Sequence, residues 1–144
     1  AHIGYAPSRL YGLPTTMMWV YRLGLEHAKQ YLLTGRALDA ATAHRIGLVS
    51  EVHPPDDLAD AVRAEASRLA TIPANQLALN KILINQAFEA MGLRTTQTLG
   101  MFFDGMARHT EEALRWSELA DEEGLREAVA QRDRPWRDYG QKPK

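Results

Sequence analysis

Cysteine is missing from the 144 residues of the sequence, which excludes disulfides, thiolate metal sites and a cysteine nucleophile. Histidine is present but lacks the spacing and neighbouring carboxylates of a metal site. The five residues are scattered along the chain, as His2, His27, His44, His53 and His109. We therefore expect no bound metal. Because a chain without thiols suits a reducing compartment, we also expect a cytoplasmic protein.

An excess of charge of one sign is also lacking, since 17 basic and 18 acidic residues leave a formal net charge of -1. Neither nucleic acid nor a membrane surface is therefore an expected partner. No apolar run approaches the ~20 residues that span a bilayer, and no signal-peptide pattern is present. Glycine-rich phosphate loops and a nucleophile elbow are absent as well. The hydrophobic share of 45% suffices for the core of one soluble globular unit.

The beginning of the chain is predicted to form an extended segment and two helices in tandem. Residues 1–12 mix apolar side chains with glycine and proline, which predicts a short strand without an evident partner. Helical spacing then runs from Leu13 to Leu23, and Gly24 is expected to end this helix. A second helix should close at Gly35, because glycine tolerates the left-handed conformation that ends helices.

A third short helix and a further strand are expected next. Asp39 can cap the helix through its side-chain oxygen, and residues 48–52 alternate like a strand. The loop at residues 54–56 ends in an aspartate that offers another cap. Apolar positions then line one face of a helix over residues 58–72, which Pro73 ends.

The remainder of the chain predicts further helices and an extended tail. Residues 74–91 are apolar around much of the circumference, so this helix is either central or at a subunit interface. Another helix is expected from about Arg94, and Thr110 followed by acidic residues predicts one more start. The tail from Arg134 should be extended and partly anchored by its aromatic residues; it contains Pro135, Trp136, Tyr139 and Pro143.

One segment carries a specific pattern of residues and spacings. It runs Ala28-Lys29, Leu32-Leu33-Thr34-Gly35-Arg36, Leu38-Asp39-Ala40, Ala43 and Gly47-Leu48-Val49-Ser50-Glu51-Val52. This pattern resembles the enoyl-CoA hydratase/isomerase (crotonase) family just after its active-site loop. The resemblance extends on both sides: Pro7, Gly12 and Pro14 are similar to that loop, and residues 73–81 to the helical region that follows.

The resemblance implies a fold and a domain organisation. The expected fold class is α/β crotonase-like (ClpP/crotonase fold), its C-terminal part, predominantly α-helical with one or two short strands. Residues 1–53 would form the end of the crotonase core, with the active-site loop, short helices and a strand. Residues 54–144 would form the C-terminal helical oligomerisation region. Family members commonly form trimers or paired trimers, so a homo-trimer or hexamer is expected, or pairing with a missing N-terminal part.

The resemblance also implies an activity. Family members bind acyl-CoA thioesters, hold the thioester carbonyl with two backbone N–H groups and stabilise an enolate. Coenzyme A thioesters would be the substrate here, with no separate cofactor. By the same resemblance, the two N–H donors and the first catalytic glutamate would come from segments N-terminal to residue 1. We therefore expect an incomplete enzyme; the alternative is a non-catalytic truncated paralogue that serves as an oligomerisation or binding module.

Candidate site residues follow from the resemblance. The second catalytic glutamate of hydratases follows a proline at the place of Pro7, where this sequence has Ser8. A serine hydroxyl does not titrate near neutrality, so Ser8 would position water or substrate rather than act as a base. The alternative is a turn that satisfies only its own backbone. Pro14 and Trp19 stand where the family has a glycine-rich stretch and would contact substrate, and Lys81 would meet a CoA phosphate.

Other residues leave two interpretations open. Tyr11, Met17 and Trp19 could line an acyl chain, although such side chains near the start of a helix are more often core. Asp104 has apolar neighbours and would act as an acid or base if burial raised its pKa; otherwise it is a helix-surface carboxylate. A third functional interpretation drops the family and takes residues 74–91 as the docking face of a small helical interaction module.

Overall fold

The computed structural model describes residues 1–14 and 16–138, so Tyr139 and Pro143 of the predicted tail lie outside the described residues. The described chain is mostly helical. Two short strands and a single turn of 3-10 helix accompany the helices: β1 (His2–Ile3), the 3-10 turn (Ala6–Arg9) and β2 (Leu38–Asp39). The helices are α1 (Met18–Thr34), α2 (Ala40–Arg45), α3 (Leu58–Leu69), α4 (Ala74–Ala90), α5 (Leu93–Ala107), α6 (Glu111–Glu123) and α7 (Leu125–Asp133).

The two strands pair with each other in an antiparallel ladder, in which Ile3 lies opposite Leu38. The prediction that the N-terminal strand lacks a partner was therefore wrong, because the partner strand follows α1. Leu38 is only 1% exposed and packs in a cluster with Leu23 and Tyr31. Trp19 packs against the same cluster. The small core thus lies between α1 and the strand pair.

Helix α1 confirms the predicted pair of tandem helices. Gly24 interrupts it with φ 72° and ψ 172°, a conformation that is essentially restricted to glycine. Gly35 closes the second segment in the left-handed conformation, as predicted. The helix begins at Met18 and not at Leu13, because the backbone of Leu13 is bonded elsewhere. The Leu13 N–H donates to Asp104 Oδ1 at 2.8 Å, and the Leu13 carbonyl accepts from the hydroxyl of Tyr5 at 3.1 Å.

The segment that follows α1 confirms one prediction and corrects another. Asp39 caps α2, since its Oδ1 accepts from the Thr42 N–H at 2.7 Å. The strand predicted over residues 48–52 does not form: residues 48–50 are a bend, and 51 and 52 are irregular. The backbone N–H of Leu48 donates to the Ala43 carbonyl at 2.8 Å, which turns the chain directly after α2. Because no described strand lies beside this segment, it has no ladder to join.

Helices α3, α4 and α5 confirm the three helices predicted between residues 58 and 107. The predicted cap before α3 is not seen, because the residue at its N-cap, Asp57, makes no side-chain capping bond. Helix α4 attaches to α1 through the hydroxyl of Tyr21, which donates to the Met91 carbonyl at 3.0 Å, and through the rings of Tyr21 and Phe88. Most of its large apolar residues are exposed, so α4 is not central among the described residues; they include Leu79, Ile82, Leu83 and Ile84.

Helices α6 and α7 form a hairpin at the other end of the chain. Thr110 caps α6 as predicted, because its hydroxyl accepts from the Ala113 N–H at 3.3 Å. The indole N–H of Trp116 donates to the Ala128 carbonyl of α7 at 3.2 Å. Residues 134–136 form turns, so the prediction of an extended tail was wrong there. Trp136 packs against the guanidinium of Arg9 and anchors the tail as expected.

Asp104 joins α5 to the loop that precedes α1. Besides the Leu13 N–H, its carboxylate accepts from Arg108 at 3.0 Å. The hydrogen bond from Leu13 lowers the pKa of Asp104; burial opposes this shift and Arg108 adds to it. The interpretation of Asp104 as an acid or base with a raised pKa was therefore wrong, because the carboxylate is held in its charged form. Its role is to fix the position of Leu13.

The Thr110 cap gives a first test. We expect Thr110→Ala to lower the free energy of unfolding by about 1 kcal/mol, because the Ala113 N–H loses its acceptor. The matched control is Asp57→Ala, since Asp57 occupies the same position on α3 without a side-chain capping bond. Denaturant unfolding of both variants measures the difference. Equal losses from the two substitutions would contradict the assignment of the cap.

The Asp104 anchor gives a second test, which depends on pH. Since folding depresses the pKa of Asp104, its stabilising contribution is present above the unfolded-state value of about 4 and is lost as the pH falls through the folded-state value. We expect Asp104→Asn to be less stable than wild type near neutral pH, and the gap to narrow in acid. Thermal melts at several pH values measure it, with Asp60→Asn on exposed α3 as control. A gap independent of pH would refute the ionic anchor.

Candidate functional site

The loop of residues 5–14, which we call the proline loop, is held closed by its own backbone and by α5. Pro7 lies at the start of the 3-10 turn, where its missing N–H removes no hydrogen bond of the turn. The phenol of Tyr5 spans the loop by donating to the Leu13 carbonyl. Burial and the nearby carboxylate of Asp104 raise the pKa of Tyr5, so the phenol stays protonated and keeps donating. The loop therefore presents a defined surface to α1.

Gly12 keeps the loop compact because a side chain at its position would crowd its neighbours. A Cβ built on Gly12 would lie 3.1 Å from Cβ of Pro7 and 3.3 Å from the hydroxyl of Tyr5. Both distances are tighter than ordinary van der Waals contacts, so a side chain there would require Pro7 and Tyr5 to shift slightly. The glycine that resembles the family's loop thus has a steric reason in this structure.

A cavity of about 290 Å³ lies between the proline loop and α1. The loop side of the cavity is lined by Ser8, Leu13, Pro14 and Met17. On the α1 side the lining residues include Leu25, Lys29 and Leu32. Most of the wall is apolar, and Ser8 and Lys29 are the polar members among the described residues that line it. An apolar cavity with few polar groups is the usual form of a small-molecule site.

Ser8 satisfies its own turn and faces the cavity as well. Its hydroxyl donates to the Tyr5 carbonyl at 2.8 Å, and its backbone N–H donates to the same oxygen at 3.2 Å. The hydroxyl proton is thus engaged, while the oxygen retains lone pairs that can accept a hydrogen bond. The two interpretations of Ser8 are compatible. The Ser8 oxygen can accept a hydrogen bond from a donor group, but the hydroxyl does not titrate near neutrality.

The other predicted binding residues lie in different places. Pro14 lines the cavity, as does Met17. Trp19 packs against the Leu23, Tyr31 and Leu38 core cluster, which is the core position considered as its alternative. Lys81 is exposed on α4 and is not among the residues that line the cavity. A role for Trp19 or Lys81 in binding remains a prediction.

Lys29 is a lining residue that sequence reasoning did not single out. Its side chain is 54% exposed, and its ammonium lies 3.9 Å from the carboxylate of Glu26, a loose pair that leaves it able to bind another anion. The family-like pattern did include Lys29, one helical turn before Leu33. The sequence does not give the rotation of α1 relative to the proline loop, so it could not show that Lys29 lines the cavity.

Tyr11 lies on the opposite side of the proline loop. Its φ of 81° is in the left-handed region, where a residue with a side chain is strained. The ring packs on Trp116 of α6 at 4.7 Å between centroids, and the guanidinium of Arg108 lies 5.3 Å from its ring centre. This side of the loop borders a second cavity of about 520 Å³ beside α6 and α7. Tyr11 therefore holds the helical hairpin and does not line the first cavity.

Within residues 1–14 and 16–138 no three metal-binding side chains come together. Across the same part of the chain, none of the helices combines the length and the hydropathy needed to cross a membrane.

Known proteins resemble the chain over nearly its whole length. A family model described as enoyl-CoA hydratase/isomerase matches residues 2–138. The solved enoyl-CoA hydratase from Mycobacterium smegmatis superposes with a TM-score of 0.91 and 41% identity, over 97% of this chain and 48% of that chain. The enoyl-CoA hydratase/isomerase from Xanthobacter autotrophicus Py2 gives a TM-score of 0.82 at 24% identity, over 94% of this chain and 52% of that chain, which shows the fold alone.

A curated relative from Mycobacterium tuberculosis (strain CDC 1551 / Oshkosh) bears the description "Probable enoyl-CoA hydratase echA8". It is 43% identical over 68 residues, which are 47% of this chain and 26% of the relative. The chain thus spans about half the length of the solved relatives and about a quarter of this curated one. These matches confirm the crotonase-like fold class, predominantly helical with short strands. The chain belongs to the enoyl-CoA hydratase/isomerase family.

Proposed function

We propose that the chain provides one wall of a site for acyl-CoA thioesters, in fatty acid or related acyl-CoA metabolism. The observation that carries the proposal is the meeting of Ser8, Pro14 and Met17 in one apolar cavity. Ser8 and Pro14 come from the loop that resembles the family's active-site loop, and Met17 follows that loop at the start of α1. In this proposal the coenzyme A thioester is the substrate, and no separate cofactor takes part.

The lining of the cavity suits different parts of such a ligand. Burial of an acyl chain against Leu13, Leu25 and Leu32 would be favourable by about 0.8 kcal/mol for each methylene removed from water. Ser8 offers a hydrogen-bond acceptor, and Lys29 offers a positive charge at the exposed side of the cavity. Electrostatics therefore favours a ligand with an apolar body and an anionic portion, which describes an acyl-CoA.

The reaction itself needs groups beyond this wall. Both hydration and double-bond isomerisation transfer protons, and an enolate is stabilised by preorganised N–H donors. Among the described residues that line the cavity, none is a carboxylate or a histidine. We propose that the proton-transferring group and the donors lie in the rest of the fold, in the same polypeptide or in another chain. The proposal covers hydratase and isomerase chemistry alike.

A second candidate function rests on a different observation. Helices α4 and α5 expose many large apolar side chains, far more than scattered surface positions would account for. They include Leu79, Ile82, Leu83, Ile84, Met101, Phe102, Phe103 and Met106. A non-catalytic role would use this surface for self-association as a trimer or hexamer, or for assembly with full-length relatives. The small interaction module with α4 as its docking face would use the same residues.

A substitution at Ser8 tests the proposed site. We expect Ser8→Ala to weaken acetoacetyl-CoA binding by roughly threefold to tenfold, the value of one hydrogen bond. The matched control is Ser50→Ala, because Ser50 is exposed and lies outside the cavity lining. Isothermal titration calorimetry measures both, and crotonyl-CoA hydration is assayed on the same samples. Absence of saturable binding in the wild-type protein would reject the acyl-CoA site.

A substitution on α4 tests the self-association surface. We expect Ile82→Glu to lower the solution mass from that of a trimer or hexamer to that of a monomer, because a charge cannot be buried in an apolar interface without a partner. Gln76→Glu on the same helix introduces the same charge at a polar position and serves as control. Light scattering reports the mass. A wild-type monomer would exclude self-association through this surface.

A further inference from the structure

The side chain of Arg9 is buried at the end of the 3-10 turn. It is only 4% exposed, although guanidinium groups are usually solvated. Its Nε donates to the Thr34 carbonyl at 2.9 Å, and its Nη2 donates to the Gly35 carbonyl at 3.2 Å. These two carbonyls belong to the end of α1, where helices leave carbonyl groups without intrahelical partners. Arg9 thus ties the proline loop to the end of α1.

The same guanidinium holds the C-terminal end of the described chain. Its Nη1 donates to Asp133 at 3.0 Å, and its Nη2 lies 2.7 Å from one carboxylate oxygen of Asp138 and 2.9 Å from the other. The ring of Trp136 lies 4.7 Å from the guanidinium carbon. Asp138 also accepts from the Ala37 N–H at 3.1 Å, just after α1. Residues 133–138, which we call the brace, therefore bind both Arg9 and the end of α1.

The chemistry of these contacts makes the brace specific for arginine. Hydrogen bonds between charged partners are roughly twice as strong as neutral ones, and the planar fork of a guanidinium can serve several acceptors at once. Burial raises the pKa of Asp138, but the bonds from Arg9 outweigh burial and hold that pKa below its ordinary value. The pair is therefore charged at neutral pH. A lysine would offer a single point charge and could not reproduce this geometry.

We infer that Arg9 is a positioning residue for Ser8, and that the brace sets where the proline loop stands against the cavity. Ser8 directly precedes Arg9 in the 3-10 turn, so the guanidinium fixes the turn on which the Ser8 side chain is carried. Glycine at position 35 preserves the contact, since a Cβ there would come within 3.0 Å of Cγ of Arg9. This inference rests on the proposed function, because the position of Ser8 matters for a substrate only if the cavity binds one.

This role differs from a general contribution to stability. Asp138 follows the last helix, so its removal does not shorten any helix of the described chain. Its contacts with Arg9 join residues far apart in sequence, and loss of such a contact releases a segment locally without unfolding the whole chain. We therefore expect loss of the Asp138 carboxylate to free the turn that carries Ser8 while the helical content is preserved.

The absence of cysteine makes a direct test feasible. In the full chain, Ser8→Cys creates a unique thiol at the cavity wall, whose rate of reaction with a disulfide reagent reports the exposure of position 8. Adding Asp138→Asn should raise this rate roughly tenfold, because about 1.4 kcal/mol of local restraint corresponds to that factor. Asp60→Asn removes the same charge from an exposed pair on α3 and should leave the rate unchanged. Asp138→Glu should restore part of the protection.

The outcomes separate the inference from the proposed function. Equal labelling rates with Asp138→Asn and Asp60→Asn would overturn the positioning role. Circular dichroism tests whether each variant is folded. If Asp138→Asn is not folded, Trp136→Leu replaces it, with the same expected increase in labelling rate. Acetoacetyl-CoA is then added to the Ser8→Cys protein, at a concentration high enough to offset the weaker binding expected when the Ser8 hydroxyl is lost. Slower labelling supports the acyl-CoA site, whereas no slowing rejects that site. The positioning role of the brace is decided separately, by the labelling rates of the Asp138→Asn and Asp60→Asn variants without ligand.

Discussion

The buried guanidinium of Arg9 is the contact through which separate parts of this small structure meet. The core between α1 and the strand pair is modest, and many apolar side chains remain exposed. The proline loop, the end of α1 and the brace are joined by hydrogen bonds to one cation. Because removing one partner leaves the remaining buried charges less well compensated, these three segments hold one another in place. The placement of the cavity depends on this constraint.

Asp104 provides the second restraint on the same loop. Arg9 holds the 3-10 turn from the side of α1, whereas Asp104 holds Leu13 from the side of α5. Between these two points the chain passes through the strained backbone of Tyr11, whose ring is packed on Trp116. A strained conformation persists only when its surroundings determine it fully. The loop is thus fixed at both ends and in its middle, which suits a surface that recognises a ligand.

Sequence reasoning succeeded where local chemistry decides the outcome. Gly24, Gly35, Asp39 and Thr110 each ended or capped a helix as predicted, because caps and left-handed closures depend on single residues. It failed where distant contacts decide. The pairing of β1 with β2, the late start of α1 and the bonds of Asp104 all join residues far apart in the sequence. Residues 48–52 alternate like a strand, yet without a neighbouring strand they turn instead.

The candidate site shows the same division. The family-like pattern pointed to Ser8 and Pro14, which do meet in one cavity. It included Lys29 without showing that this residue lines the cavity, and it gave no indication of the brace around Arg9. The acyl-CoA site is tested most directly by a two-dimensional NMR titration of the labelled protein with acetoacetyl-CoA. We expect saturable shifts of backbone amides around Ser8, Met17 and Lys29. Shifts confined to α6 and α7, or none at all, would contradict the account.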